Sequence, residues 1–383
     1  MRLQATRLTA IAHAARQRFN PASMFSAGEQ GAWYDPSDMS TMFQDSAGTT
    51  PVTAVGQPVG LILDKSKGLV LGAELVTSYD FTTAQWTKTG AVTSTTANSF
   101  TTNNVGGIIK SVYTAKPSVV KISGTTTVGL IIRASGSTAG QVAVGPGAFS
   151  ITFNSIVTFA DGSMYFQLSA AGTVTIDNIS VRELPGNHAF QTTTTKRPLY
   201  QVAGRYSYLS FDGIDDALVT NSIDFTATDK MTVWAGVRKL NTVAAFNSLV
   251  EIGATGANGF GIFAPDSNNS NYSFWLKGNS RPTATTYVSP ITNVIDVQYD
   301  CSLSIALQAK ARINGASVFT SNAGLAASGP FANEAMYIGS RSGTSLPFNG
   351  NLYSLVVRGA QSSDAQIAST EQYVNGKTGA YGA

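Results

Sequence analysis

Three aspartates stand within five positions of the stretch YLSFDGIDDALV, residues 208–219, in a chain of which only 12% of the residues are charged. Acidic groups repel one another at such spacing unless something compensates them. Asp212, Asp215 and Asp216 are therefore candidates for three purposes. They could bind calcium, since carboxylate oxygens suit a hard cation. They could take part in catalysis, or they could accept backbone N–H groups at the Asp212-Gly213 turn of a hairpin.

A second candidate site is the polar loop APDSNNSNYSFW, residues 264–275. Sugar recognition uses planar amides and carboxylates for the hydroxyl groups and an aromatic ring for stacking. The loop GSRSGTSLPFNG, residues 339–350, adds an arginine. The alternative is a polar hairpin loop in which the tryptophan belongs to the core. The candidate glycan-binding residues are Asp266, Asn268, Asn269, Asn271, Tyr272, Trp275 and Arg341.

Enzymatic chemistry finds little support in the residue inventory. The chain has two histidines, His13 and His188, and neither lies in a predicted β-domain, which excludes a histidine-based triad there. No metalloprotease, phosphate-loop or clustered cysteine–histidine motif is present. Glycoside hydrolysis needs two carboxylates about 5–9.5 Å apart, and Glu251 with Asp266 stays open as such a pair. We expect a protein that is not an enzyme and has no cofactor, with calcium as the alternative.

The composition predicts an all-β protein. Charged residues are few, 37 glycines supply turns, and the single cysteine, Cys301, excludes an internal disulfide. Short alternating runs follow one another every eight to twelve residues, the spacing of a β-sandwich. A lone Trp86 could stack on a sugar, but a place in the core is favoured. Near the C-terminus, Ser363 and Gln366 form a capping box, and Gly376 is a stop signal for a short helix.

The N-terminal region differs from the rest. Residues 1–20 contain four arginines and no acid, a charge of +4, and the remaining residues sum to −1. Such a localised charge does not fit a broad nucleic-acid-binding surface, and no segment is apolar enough to span a membrane. Residues 28–68 show little periodicity yet contain several large apolar side chains. We expect this region to become ordered only on a partner, with anchoring contacts from Leu8, Ile11, Phe19, Trp33, Tyr34, Met42 and Phe43.

The pattern WYDPSD, STMFQD, AGTTPVTAVGQPVGL and LDKS, from Trp33 to Ser66, resembles the N-terminal segment of many tailed-bacteriophage virion proteins. Residues 73–185, which open with ELVTSYDF and close with GTVTIDNISVREL, resemble carbohydrate-binding-module-like jelly rolls. From about residue 197 onward the chain resembles laminin-G-like, concanavalin A-like domains. The motifs of that last resemblance are YLSFDGIDDALV and YIGSRSGTSLPFNGNLYSLVVRG. In that family the FDG-DD element is a structural hairpin, which favours the turn role for the three aspartates.

These resemblances imply an architecture and a function. The architecture is two tandem antiparallel jelly-roll β-sandwiches after an N-terminal helical or extended anchoring arm, with a short C-terminal helix. The expected divisions are a basic arm (1–27), an attachment segment (28–72), the first jelly roll (73–185), a linker (186–198) and the second jelly roll (199–383). The implied protein is a trimeric fibre or spike on the virion surface that adheres to host glycans. It would contact other virion proteins through its arm, without nucleic acid or membrane insertion. A capsid-decorating or collar protein and a glycan-degrading tail enzyme are the alternatives.

Overall fold

The computed structural model describes residues 19–76, 79–111, 116–133, 141–156, 163–240, 246–253, 257–266, 271–284, 287–319 and 327–382. The predictions for Leu8, Ile11, Asn268 and Asn269 lie outside these residues.

Strands dominate the described chain, which also contains one α-helix and several short 3₁₀ helices. The 3₁₀ helices are Pro21–Met24, Met39–Thr41, Thr194–Lys196 and Ile305–Leu307, and the α-helix is α1 (Asp364–Thr378). The strands are β1 (Gly31–Tyr34), β2 (Met42–Phe43), β3 (Leu61–Ile62), β4 (Trp86–Thr95), β5 (Ser99–Ser111), β6 (Ser118–Thr126), β7 (Leu130–Arg133), β8 (Val142–Val144), β9 (Gly147–Ser155), β10 (Ser163–Leu168), β11 (Gly172–Glu183), β12 (Ala189–Phe190), β13 (Leu199–Ala203), β14 (Tyr206–Asp212), β15 (Leu218–Asp224), β16 (Lys230–Lys239), β17 (Ser248–Ile252), β18 (Phe260–Phe263), β19 (Tyr272–Leu276), β20 (Asn279–Ala284), β21 (Ile291–Asp300), β22 (Ala309–Ile313), β23 (Ala316–Phe319), β24 (Asn333–Ile338) and β25 (Asn349–Arg358).

The all-β prediction with a short C-terminal helix is confirmed. The strands form three antiparallel sheets in two units. The N-terminal β-unit contains β4 to β11 in one sheet, in the order β8-β7-β10-β5-β11-β6-β9 with β4 beside β5. The C-terminal sandwich packs the sheet β13-β14-β25-β16-β21-β22-β23 against the sheet β2-β3-β12-β15-β24-β17-β18-β19-β20. No helix in the described part of the chain has the length and apolar character needed to cross a membrane.

One long strand lets the single sheet of the N-terminal β-unit enclose a core. The first part of β5 pairs with β11 and its second part pairs with β10, so the strand serves two layers. The enclosed core includes Phe81, Phe100 and Phe166. Trp86 lies in it with 4% of its surface exposed, and its ring centroid is 4.8 Å from that of Phe81. The core role predicted for Trp86 is confirmed.

Alternation positions the side chains of the C-terminal sandwich as the sequence predicted. Leu209 and Phe211 of β14 are buried in the core between the two sheets. Met231, Val233 and Val237 of β16 point into the same core, because successive side chains of a strand point alternately to its two faces. The opposite face of β16 carries Trp234, which is fully buried because α1 covers that side of the sheet.

Helix α1 begins where the sequence predicted and ends three residues later than predicted. Ser363 and Gln366 make both bonds of the capping box. Gly376, the predicted stop signal, lies inside the helix. Gly379 is instead the C-cap, with φ 61° and its N–H bonded to the Asn375 carbonyl. Glycine adopts this left-handed conformation without steric cost, which explains why the helix ends there.

Residues 28–72 were expected to form an attachment segment without a core of its own, and this expectation is wrong. The segment is part of the C-terminal sandwich. Strand β1 pairs with β25, which places Trp33 opposite Val356 and Tyr34 opposite Leu355. Trp33 is 6% exposed and packs under α1, whereas Tyr34 (1%) and Met42 (0%) belong to the core of the C-terminal sandwich. These side chains are therefore covered by the same chain rather than by a partner.

The expected linker, residues 186–198, is also part of the C-terminal sandwich. Within it, β12 pairs with β3 on one side and β15 on the other. The two units meet at a small apolar cluster that includes Leu61, Ile156 and Leu184. Asn221 Nδ2 donates to the Ile156 carbonyl across this contact at 2.7 Å. The region between the two units is thus packed, and β12 completes a sheet.

Candidate functional site

The two loops that the sequence analysis treated as separate glycan candidates meet on the surface of the C-terminal sandwich. The guanidinium carbon of Arg341 lies 5.5 Å from the centroid of the Trp275 ring and 5.2 Å from that of Phe263. The Phe246 ring packs edge-on against both rings, and its centroid lies 5.7 Å from that of Phe263 and 6.3 Å from that of Trp275. We call Phe246, Phe263, Trp275 and Arg341, with Glu251 beneath them, the arginine–aromatic patch.

Glu251 anchors the arginine of this patch from below. Its Oε2 atom lies 3.2 Å from Arg341 Nε, and Oε1 has no hydrogen-bond partner among the described residues. Burial raises the pKa of the Glu251 carboxyl to about 7, although Arg341 and the Ser342 backbone N–H oppose the shift. The Glu251 side chain has no exposure, whereas Arg341 keeps 22%. A ligand can therefore reach the Arg341 side chain but not the Glu251 carboxyl group.

Burial removes Tyr272 and Asp266 from the set of candidate glycan-binding residues. Tyr272 has no exposed surface, and its hydroxyl donates to Asn293 Oδ1 at 2.8 Å. The amino group of Lys239, itself fully buried, lies 4.4 Å from the Tyr272 ring centroid. Asp266 is 5% exposed, and its backbone N–H donates to the Asn271 carbonyl. Tyr272 and Asp266 therefore shape the loop from within and present no surface for a sugar.

The acidic stretch 212–216 forms the turn that links β14 in one sheet of the C-terminal sandwich to β15 in the other. The prediction of a hairpin is wrong, because these two strands pair with other strands and not with each other. Asp212 Oδ1 accepts the backbone N–H groups of Ile214 at 2.8 Å and Asp215 at 3.3 Å. Asp216 Oδ2 accepts the Asp212 N–H at 3.0 Å. One ligand atom from each of the three carboxylates can be chosen within 4.8 Å of the others. The geometry satisfies the turn, and it also brings three potential calcium ligands together.

Protonation of Asp216 makes the stability of this turn sensitive to pH. Burial, together with the nearby charges of Asp212 and Asp215, raises the pKa of Asp216 to about 6. The hydrogen bond from the Asp212 N–H acts in the opposite direction and lowers this pKa. The folded state thus binds this proton more tightly than the unfolded state. The resulting stability is present below about pH 4 and is lost as the pH rises to about 6.

Replacing Asp216 by Asn should remove this loss. Asn keeps an acceptor oxygen for the Asp212 N–H, so D216N should match the parent at pH 4. At pH 7 D216N should be the more stable by about 1–2 kcal/mol, since a pKa unit corresponds to about 1.4 kcal/mol and solvent screens part of it. Thermal melting between pH 4 and 8 measures the difference. Parallel curves for the two proteins would contradict the assignment.

A chelator separates the turn role from the calcium role. If the carboxylates serve only the turn, EDTA should leave the parent melting temperature unchanged at pH 7. A bound ion would stabilise the folded state by mass action, and a fall of several degrees in EDTA would then identify a metal site.

A cleft lies at the other side of the C-terminal sandwich, against α1. Its volume is about 890 Å³. Phe19 and Trp33, both predicted anchoring residues, line it together with Tyr373 of α1. The rings of Trp33 and Tyr373 meet edge-on with centroids 5.8 Å apart. We call this feature the α1 cleft.

Asp35 organises the charged wall of the α1 cleft. Its Oδ2 atom accepts from Lys377 Nζ at 3.0 Å and from the Tyr373 hydroxyl at 2.8 Å. Oδ1 accepts from the hydroxyl of Ser37 at 2.6 Å. Burial alone would raise the pKa of the Asp35 carboxyl, but Lys377 and these hydrogen bonds outweigh burial and hold the pKa below its usual value. Asp35 therefore remains a carboxylate that is already fully engaged.

Sequence analysis missed the role of Asp64, in the LDKS motif. Its carboxylate is wholly buried and accepts the backbone N–H groups of Trp33 (2.7 Å), Ser66 (2.8 Å) and Asn187 (2.7 Å). The Asp64 N–H in turn donates to His188 Nδ1 at 2.9 Å. Burial lowers the pKa of His188, so its imidazole is a neutral structural acceptor. An acid in an otherwise apolar run was the signal that could have found this role.

Comparison with known proteins identifies distant structural neighbours. The chain matches no known family profile and no curated protein sequence. A Trypanosoma rangeli sialidase in complex with the inhibitor DANA is 13% identical over 49% of this chain, with a TM-score of 0.35, and the match spans 29% of that enzyme. The CBM40 of Ruminococcus gnavus IT-sialidase, bound to α2,3 sialyllactose, is 17% identical over 38% of this chain and 83% of its own, at TM-score 0.30.

A third neighbour is the receptor-binding domain of botulinum neurotoxin type G. It is 9% identical over 48% of either chain, with a TM-score of 0.34. At these identities and TM-scores, the neighbours assign no activity or ligand to the chain.

Proposed function

We propose that this chain is a non-enzymatic, glycan-binding component of a bacteriophage virion. The arginine–aromatic patch carries the glycan-binding part of the proposal. It combines the partly exposed side chain of Trp275 with the partly exposed side chain of Arg341. An aromatic face packs against the C–H surface of a sugar ring, and guanidinium N–H groups donate to its oxygens.

The position of Glu251 supports the non-enzymatic part of the proposal. A glycosidase acid must contact the glycosidic oxygen, and Glu251 lies fully buried behind Arg341. Its raised pKa is therefore attributed to burial in the patch rather than to catalysis.

The virion role is proposed from the sequence pattern between Trp33 and Ser66 and from the four arginines that precede residue 20. The basic arm would dock on another virion protein, and the chain would stand on the virion surface as a trimer. Closed cyclic symmetry fits docking on a ring-shaped component. Electron microscopy of particles with this chain labelled tests that location directly.

Glycan binding is tested by substitution within the patch. Trp275→Ala and Arg341→Gln should each weaken retention on an array of bacterial surface polysaccharides by about ten- to a hundredfold. That range follows from the roughly 1.5–3 kcal/mol of a hydrogen bond to a charged group. Arg341→Gln should fold, because the buried Glu251 carboxyl can take up a proton.

A matched control lies in the N-terminal β-unit. The guanidinium of Arg133 lies 4.3 Å from the centroid of the Tyr165 ring and thus repeats the arginine–aromatic contact without Glu251. Arg133→Gln should leave glycan retention unchanged. If the parent retains no glycan, or if Arg133→Gln weakens retention as much as Arg341→Gln does, the patch is not a glycan site.

A further inference from the structure

We propose that the α1 cleft is a second saccharide site, and that it binds an oligosaccharide carrying an anionic group, either a carboxylate or a sulfate. The inference deepens the proposed function, since it rests on this chain being a glycan-binding protein. It concerns residues of the N-terminal segment and of α1, which are separate from the arginine–aromatic patch.

The dimensions of the cleft fit a short oligosaccharide. Its volume of about 890 Å³ lies in the upper part of the range of about 300–1,000 Å³ found for ligand pockets. The lining includes the aromatic rings of Phe19, Trp33 and Tyr373. Space on the helix side exists because Gly376 faces the cleft: a Cβ at that position would meet no atom within 4 Å.

Neutral polar side chains line the rest of the cleft. They comprise an exposed amide from α1, a second amide beside Phe19, and hydroxyls from three different segments: Gln372, Asn20, Ser37, Ser207 and Ser369. Amides and hydroxyls both donate and accept hydrogen bonds. Such groups match sugar hydroxyls, which also do both.

The charges in the cleft favour one anionic group on the ligand. Lys377 is engaged by Asp35 at 3.0 Å and Lys65 by Asp38 at 2.6 Å. Arg205, on the turn between β13 and β14, is exposed and forms no ion pair with any described residue. Its guanidinium donates a 3.0 Å hydrogen bond to the hydroxyl of the neighbouring Tyr206, and its central carbon lies 5.0 Å from the centroid of that ring.

This charge balance also argues against an acidic polypeptide as the ligand. A run of aspartates or glutamates would need several uncommitted cations, and in the described lining only Arg205 has no acidic partner. A saccharide with one acidic group per few sugar units needs a single cation and many neutral hydrogen-bonding groups. The cleft supplies that combination.

Calorimetry with defined probes tests the assignment. The probes are trigalacturonate for the carboxylate, a sulfated heparin tetrasaccharide for the sulfate, and maltotriose as the neutral control. We expect at least one acidic probe to bind the full-length protein at least tenfold more tightly than maltotriose. Which acidic probe binds better identifies the anionic group. Arg205→Gln should remove the preference for the acidic probe, and Lys121→Gln, an exposed lysine of β6, should not.

Gly376 offers a way to block the cleft in a folded protein. Gly376→Tyr should fill the cleft and abolish binding of the acidic probe, whereas Gly376→Ala should bind as the parent does. Unchanged melting temperatures show that both variants fold. Binding that survives Gly376→Tyr would overturn the proposed location.

Other outcomes overturn the ligand class or separate the two proposals. If neither acidic saccharide binds, or if hexaglutamate binds as tightly as they do, the cleft is not a saccharide site. The Trp275→Ala variant should keep full binding of the acidic probe in the cleft. If Trp275→Ala loses binding to the array while neither acidic probe binds in the cleft, the proposed function stands and only this inference is wrong.

Discussion

A chain that starts at residue 73 is expected to lose the folded C-terminal sandwich. The deletion removes β1, β2 and β3, and with them core side chains of both sheets: Tyr34, Met42, Val52, Val59 and Ile62. Burial of an apolar side chain of this size contributes about 1.5–3 kcal/mol. The five together correspond to roughly 8–15 kcal/mol, as much as the whole stability of about 5–15 kcal/mol of a typical domain.

The measurement is a comparison of three chains by near-ultraviolet circular dichroism and thermal melting. The parent and a chain that starts at residue 19 should both melt cooperatively. The chain that starts at residue 73 should show no cooperative transition for the C-terminal sandwich, whereas the N-terminal β-unit has its own core. Equal melting of all three chains would show that the N-terminal segment is dispensable for folding.

Replacement of Asp64 by Ala should be the most damaging single polar substitution in the N-terminal segment. It leaves the buried N–H groups of Trp33 and Ser66 and the partly buried N–H of Asn187 without their acceptor. A buried polar group left unsatisfied costs about 1–3 kcal/mol, so the expected loss is about 3–9 kcal/mol. The carboxylate ties β1 to the segment before β12, and its loss should loosen both.

Urea denaturation measures the loss for D64A. Asp177→Ala is the matched control, because Asp177 is exposed on β11, and surface substitutions usually change stability by less than about 0.5 kcal/mol. A loss below about 1 kcal/mol in D64A would mean that other groups satisfy these three N–H donors.

The sequence by itself determined the local features of this protein. Alternation of apolar side chains in β14 and β16 identified which face lines the core between the two sheets, because strand side chains point to opposite faces whatever the strand pairs with. The capping box at Ser363 depends on residues three positions apart. The turn at Asp212 likewise uses acceptors and donors within five positions. Such features are encoded by neighbours along the chain.

Burial of the N-terminal segment was decided only by the tertiary structure. Apolar side chains such as Trp33 and Tyr34, in a stretch with little periodicity, suggested a partner surface. The partner is β25, more than 300 residues further along the same chain. A four-residue strand carries too little pattern to reveal with which strand it pairs.

The arginine–aromatic patch was likewise decided only by the tertiary structure. Trp275 and Arg341 were each recognised as candidates, but they are 66 positions apart, one in β19 and the other in the segment after β24. Their contact, and the position of Glu251 beneath them, follow from the order β24-β17-β18-β19 within one sheet. Alternation along β19 also buries Tyr272 in the core, on the face opposite to Trp275. Residue types indicated the chemistry, and strand order decided which of those residues a ligand can reach.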